Sequence, residues 1–209
     1  MVARLRHRFN HLRYRRRAGN TNSVNYSLLL RDIDAIAVQL KKFSSNNIPV
    51  LWRPLHESEG GWFWWGAKGS EPFKQLWRLL YQRRTVFHGL NNLIWVLASE
   101  DPAWYPGDDM VDIVGVDGYP TDMTDPLSAR WQALRARLDE KIFIALTEFG
   151  GVPDVDKMRS CEVYWSWFLI LRMISLPICR YVFIGCGRIS LLGNQLTSLR
   201  FYRGKLVRV

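Results

Sequence analysis

Four apolar runs of strand length, spaced by amphipathic stretches, constrain what this chain can fold into more than any other feature. They are Ile48 to Trp52, Leu93 to Leu97, Val111 to Val116 and Ile142 to Leu146. They read as continuous rather than alternating, so each must be covered on both faces, the situation of a parallel sheet layered with helices. Pro49 falls at the start of the first run, where a missing N–H is tolerated. Between the runs, Leu29, Ile33, Ile36, Leu40 and Phe43 recur at helical spacing from Tyr26 to Phe43, ended by Ser44-Ser45-Asn46-Asn47. A second helix is predicted over Pro72 to Phe87, with Ser70 placed to cap it, Pro72 in its first turn, and Phe73, Leu76, Trp77, Leu80 and Phe87 on its apolar face. A third spans Pro126 to Leu138 through Leu127, Trp131, Leu134 and Leu138. Helix and strand in alternation predict an α/β fold.

The basic excess lies outside this pattern. The chain of 209 residues carries a formal charge of +10, yet residues 1–20 hold seven Arg and no acid, and the stretch after Phe168 holds seven Arg or Lys and no acid. The remainder sets fifteen basic against nineteen acidic residues. A nucleic-acid partner is therefore disfavoured, because the cations sit off the organised part and no binding motif accompanies them. The chain divides into a basic N-terminal segment (1–20), an organised part (21–169) and a basic tail (170–209) without sustained periodicity. The tail reads either as an interaction segment or as the product of a shifted frame or a mis-set intron, and residues 1–20 are open to the second reading. Cys161, Cys179 and Cys186 have neither disulfide-framework nor zinc-ligand spacing. No signal peptide is visible, and Val163 to Leu171, interrupted by Ser166, is half the length of a membrane span.

Two carboxylates stand where chemistry is expected. The first run continues through Arg53-Pro54-Leu55-His56 into Glu57, and the last through Thr147 into Glu148. Both follow the C-terminal end of a predicted strand, the rim on which α/β barrels carry their catalytic groups. They are ninety-one residues apart, close to three βαβ steps of roughly 30 residues each. Retaining glycoside hydrolysis needs such a pair about 5 to 5.5 Å apart, one attacking the anomeric carbon and the other delivering and later removing a proton. A single strand-end Glu more often caps a helix or pairs with Arg, but these two have company. The loop after Glu57 reads Trp62-Phe63-Trp64-Trp65 between glycines, and sugars stack their C–H faces on such rings. Trp62 is expected nearest the catalytic subsite, with Trp64 as a further contact.

The strings RPLHESEGGWFWWG, FKQLWRLLYQRRTVFHGLNNLIWV, WYPGDDMVDIVGVDGYP and ALTEFG, in that order, resemble glycoside hydrolase family 26, whose dominant activity is endo-1,4-β-mannanase. The resemblance covers about residues 22–168. It implies a (β/α)8 TIM barrel with Glu57 as acid/base after the fourth strand and Glu148 as nucleophile after the seventh. It further implies that His56 contacts the nucleophile or the sugar, that Tyr119 hydrogen-bonds the nucleophile, that Asp117 orients the site, and that Arg53 supports it. Asp108 and Asp109 read as turn residues. The chemistry asks for a protonated Glu57 and an ionised Glu148 at rest; burial against Trp62 would serve the first, and hydrogen bonds from Tyr119 and His56 the second.

A whole barrel needs about 250 residues, and only 47 precede the first apolar run. The expectation is therefore an incomplete barrel lacking strands one to three. Trp165 and Trp167, near the eighth strand, are weaker candidates for sugar contact. The resemblance implies a secreted, monomeric enzyme acting on mannan, galactomannan or glucomannan without cofactor or metal and without nucleic-acid or membrane partners. The competing expectation is a catalytically silent fragment that at most binds polysaccharide. Preference among mannan, glucan and xylan is open, since rings stack on all three.

Overall fold

In the computed structural model, residues 23–138, 141–172, 180–185, 188–192, 198–202 and 205–208 are described. The chain forms two units that meet in sequence at Asp112 and Ile113.

In the first unit, Ser23 caps helix α1 (Val24–Ser44) by accepting from the Tyr26 N–H at 3.2 Å, and Lys41 and Lys42 occupy its last turn, where cations suit the carbonyl end. The buried stripe of α1 is Ile33, Ala37 and Leu40. Ile36 and Phe43, expected on that face, are each 45% exposed. The helix is held against the turn after the next helix by Asp34, which accepts from Arg83 Nε and Nη2, both at 2.8 Å, and lies 2.7 Å from His88 Nε2. The buried stripe thus keeps Ile33 and Leu40 of the expected face and takes Ala37 in place of Ile36.

Strand β1 (Val50–Trp52) pairs in parallel with β2 (Leu93–Ala98), matching Val50 with Leu93 and Trp52 with Trp95. β2 is nearly wholly buried as expected, but β1 is shorter than its apolar run and only half-buried, with Leu51 exposed. Helix α2 (Ser70–Tyr81) buries Phe73, Leu76, Trp77 and Leu80. Its N-cap is Gly69 rather than Ser70, at φ 89°, a conformation that glycine adopts at little cost. The helix then widens into a π-helical turn, Gln82–Phe87. Five residues per hydrogen-bonded step instead of four rotate Phe87 off the apolar face. Phe87 is 63% exposed under the Arg83 guanidinium, and Arg84 occupies the buried position. The core is largely aromatic: Trp77 meets Trp95 edge-on, Phe73 tilts against Trp104, and the Trp77 indole donates to the Met110 carbonyl at 3.2 Å.

The second unit opens with β3 (Ile113–Gly118), parallel to β4 (Phe143–Phe149), with helix α3 (Ser128–Leu138) between them in sequence, burying Trp131, Leu134 and Leu138. The short helix α4 (Val155–Ser160), absent from the sequence reading, is capped by Asp154, which accepts from the N–H groups of Asp156 and Lys157. β5 (Trp167–Arg172) joins β4 in parallel. From there the backbone turns antiparallel through β6 (Arg180–Gly185), β7 (Arg188–Leu192), β8 (Ser198–Tyr202) and β9 (Lys205–Arg208).

Candidate active site

In the first unit, Glu57 stands on the C-terminal rim of the parallel strands, because its N–H donates at 3.2 Å to the carbonyl of Ala98, the last residue of β2. Leu55 and Glu57 both adopt left-handed backbone, at φ 54° and 51°. For branched or long side chains that conformation costs of order 1 kcal/mol or more each, and it persists only where surroundings enforce it. The enforcement is visible in the loop that follows. Ser58 is fully buried, and the backbone passes so close at Gly66 that a Cβ there would lie 1.9 Å from the Ser58 carbonyl oxygen.

The four aromatic residues divide their work. Phe63 and Trp65 stack with centroids 4.4 Å apart, the His56 ring tilts against both, and the Trp65 indole donates to the His56 carbonyl at 2.9 Å. Trp64 meets Trp65 edge-on. These rings brace the loop from within. Trp62 alone is displayed, 66% exposed, its ring folded over Gly60 and its indole N–H donating to Glu57 Oε2 at 3.2 Å. The expected burial of Glu57 against Trp62 is thus replaced by a hydrogen bond: the ring offers its N–H edge to the carboxylate and its face to solvent. Arg53 is half-buried just past β1.

In the second unit, the β3–β4 register slips by one residue after Val116, so Thr147 is extra on β4 and Asp117 comes opposite Glu148. The slip is stabilised on both sides. Thr147 is fully buried against Gly115, where any Cβ would collide with it, and its hydroxyl donates to Asp117 Oδ1 at 2.6 Å. Arg130 of α3 donates to the Asp117 carbonyl at 3.0 Å. The strand end that carries Glu148 is therefore turned by one position relative to an unbroken ladder. Tyr119, just past β3, crosses over Gly150 and donates its hydroxyl to Glu148 Oε1. Asp117, Tyr119 and Glu148 are thus brought together.

Trp165 does not have the expected role: it is buried, and its single donor is satisfied by the Pro126 carbonyl at 2.9 Å. Trp167, at the start of β5, is half-buried. Two contributors escaped sequence reasoning. Thr147 reads as an ordinary strand residue until the register is known. Glu59, in the loop that also carries Glu57, reaches the far side of the rim, where its carboxylate accepts from the Ser99 hydroxyl at 2.7 Å, the Glu100 N–H at 3.1 Å and the Asp101 N–H at 2.8 Å. Among the described residues no cluster of three or more His, Cys, Asp or Glu could hold a metal ion.

Carboxylates seated at the C-terminal ends of parallel strands, one beside a displayed indole and one under a tyrosine hydroxyl, on a fold that alternates strand and helix, are the arrangement of the β/α-barrel class, which carries its functional groups on the strand-end rim. More narrowly, the chain belongs to glycosyl hydrolase family 26, whose model matches residues 12–174. The match begins within the basic N-terminal segment and ends beyond Leu169, wider on both sides than the motifs alone indicated. Among curated relatives, the mannan endo-1,4-beta-mannosidase of Thermothelomyces thermophilus is 53% identical over 151 residues, which is 72% of this chain and 31% of that protein. Among solved structures, the Podospora anserina GH26-CBM35 beta-(1,4)-mannanase superimposes with a TM-score of 0.70 at 53% identity, covering 72% of this chain and 34% of that one. A beta-mannanase from a symbiotic protist of the termite Reticulitermes speratus, solved with a gluco-manno-oligosaccharide, gives a TM-score of 0.67 at 35% identity over 72% of this chain and 46% of its own. The fold is an incomplete (β/α)8 barrel, and the chain spans about a third of the length of the first relatives it matches.

Proposed function

We propose that this chain carries the catalytic carboxylates of a retaining endo-β-mannanase, Glu57 as acid/base and Glu148 as nucleophile. The observation that carries the reading is the second-unit constellation, in which Tyr119 donates its hydroxyl to Glu148 Oε1 at the end of a parallel strand. In the first half-reaction a carboxylate oxygen of Glu148 bonds to the anomeric carbon, the glycosidic C–O bond breaks, and Glu57 gives its proton to the leaving oxygen. In the second, Glu57 takes a proton from water as the water oxygen displaces Glu148, restoring both groups and retaining the anomeric configuration. Trp62 supports the reading from the other carboxylate, since its exposed face is free to stack on a sugar while its N–H addresses Glu57. His56 sets the loop, and Arg53, Trp64 and Trp167 are further supporting contacts. By the same reading the substrate is β-1,4-linked mannan, galactomannan or glucomannan, the protein works as an extracellular monomer, and no cofactor is needed.

The test is reducing-sugar release from soluble mannan by the purified 209-residue chain beside Glu57→Gln and Glu148→Gln. Activity abolished in both variants is expected. Glu57→Ala assayed on an aryl mannoside with added azide should give the β-mannosyl azide, and an α product would overturn the retaining assignment. The exposed Trp62 face also favours a second reading, polysaccharide binding without turnover. Retardation in a mannan gel, lost in Trp62→Ala and unaccompanied by sugar release, would select it.

A further inference from the structure

Nothing about glycoside hydrolysis requires a second carboxylate in the loop that carries Glu57, yet Glu59 is held there by several hydrogen bonds. Its carboxylate accepts one hydroxyl and two backbone N–H groups from the three consecutive residues Ser99, Glu100 and Asp101, immediately after β2. Ser99 is itself buried, at 3% exposure, so the hydroxyl end of this clamp is fixed. At the other end of the same short span, the Glu57 N–H is bound to Ala98. Residues 57 and 59 are thereby pinned to residues 98–101 at two points. Between those points lie the left-handed backbone of Glu57 and the buried Ser58, both of which would relax if either pin were released.

We infer that Glu59 is a positioning residue: by clamping the segment after β2 it holds Glu57 in its left-handed conformation and keeps the Glu57 carboxylate within reach of the Trp62 indole. The inference rests on the assignment of Glu57 as acid/base for its catalytic consequence, but not for its structural one. Glu59 touches neither the Glu57 side chain nor Trp62 in any hydrogen bond described above. A change at those two groups on altering Glu59 is therefore transmitted through the loop.

The experiment is NMR on the full chain labelled with nitrogen-15, comparing the parent with Glu59→Ala, Glu59→Gln and Ser99→Ala. The readouts are the Trp62 indole N–H resonance, assigned with Trp62→Phe, and exchange of the Glu57 amide. The Trp77 indole, bonded to Met110 inside the core, reports retention of the fold. In Glu59→Ala the Trp62 indole should leave its hydrogen-bonded position and the Glu57 amide should exchange about ten-fold faster or more, with Trp77 unmoved. Glu59→Gln, which keeps one acceptor oxygen, should recover part of both. If Glu59→Ala disturbs Trp77 as well, Ser99→Ala decides, since it removes one contact of the clamp and should shift the same two readouts in the same direction. Loosening confined to Glu100 and Asp101, with Glu57 and Trp62 unchanged, overturns the inference. On mannan, Glu59→Ala should lower kcat about ten-fold or more with KM little altered, as a displaced proton donor requires. A parent chain without turnover would refute the proposed activity and leave the NMR result to judge Glu59.

Discussion

Replacing Gly150 by Ala should remove the tyrosine hydroxyl from the nucleophile while sparing the fold. A Cβ at this position would lie 2.6 Å from Tyr119 Cδ1 and 3.3 Å and 3.4 Å from the next ring atoms. Ordinary contact begins at 3.4 Å, so the ring edge must retreat by about 0.8 Å. Tyr119 is 55% exposed and can swing toward solvent, which relieves the clash at a cost below about 0.5 kcal/mol. What is lost is the charge-assisted hydrogen bond to Glu148 Oε1, worth about 1.5 to 3 kcal/mol. The expected result is a fall in kcat/KM on soluble mannan of roughly 10- to 150-fold, with cooperative unfolding in urea retained and a midpoint no lower than that of Tyr119→Phe, which loses the same contact. Tyr119→Phe should produce a similar fall, and Gly150→Ala added to it should cost little more, because both act on one contact. Equal and additive penalties in the double variant, or parent-like activity in Gly150→Ala, would refute the claim that Gly150 serves Glu148 through the tyrosine.

Further outcomes follow from the first unit. Arg83, and secondarily His88, hold the Asp34 carboxyl at a pKa of about 2 against an ordinary 3.8. A depressed carboxylate stabilises the fold above its unfolded pKa and loses that contribution as pH falls through the folded one. Asp34→Asn should therefore cost about 1 kcal/mol at pH 5 to 7, after discounting for partial exposure, and the gap to the parent should shrink to about half near pH 3; urea unfolding at both pH values checks it. Arg84 is buried over the Trp52 ring, its Nε and Nη1 lack hydrogen-bond partners among the described residues, and burial pushes its pKa down to about 10. It is still charged at neutrality, so Arg84→Met should stabilise the chain by about 1 kcal/mol in the same assay. Gly69→Ala, at φ 89°, should destabilise by about 1 kcal/mol or more, read as a lower Tm.

The element order was legible because its cause is local. Phe73, Leu76, Trp77 and Leu80 repeat at helical spacing and are buried, and the continuous run from Leu93 marks a strand covered on both sides. The two rim glutamates and the aromatic loop were likewise visible, because a strand-end position depends only on where the apolar run stops. Departures arose wherever an element answered to a partner distant in sequence. Ile36 and Phe43 are exposed because Asp34 binds Arg83 and sets which face of α1 turns inward. Phe87 left its stripe because the helix widened by a residue per turn. Trp165 is a core ring because the Pro126 carbonyl takes its donor.

Residue types, their spacing and the family of the chain were determined by the sequence alone, since each is a property of neighbours along one polymer. Tertiary structure decided how those residues are used: which of four rings faces solvent, that Thr147 slips the register to set Asp117 opposite Glu148, and that Glu59 clamps the segment after β2. The physical reason is that hydrogen bonds and close approaches between residues thirty or forty positions apart exist only once strands have paired, and no local periodicity encodes them.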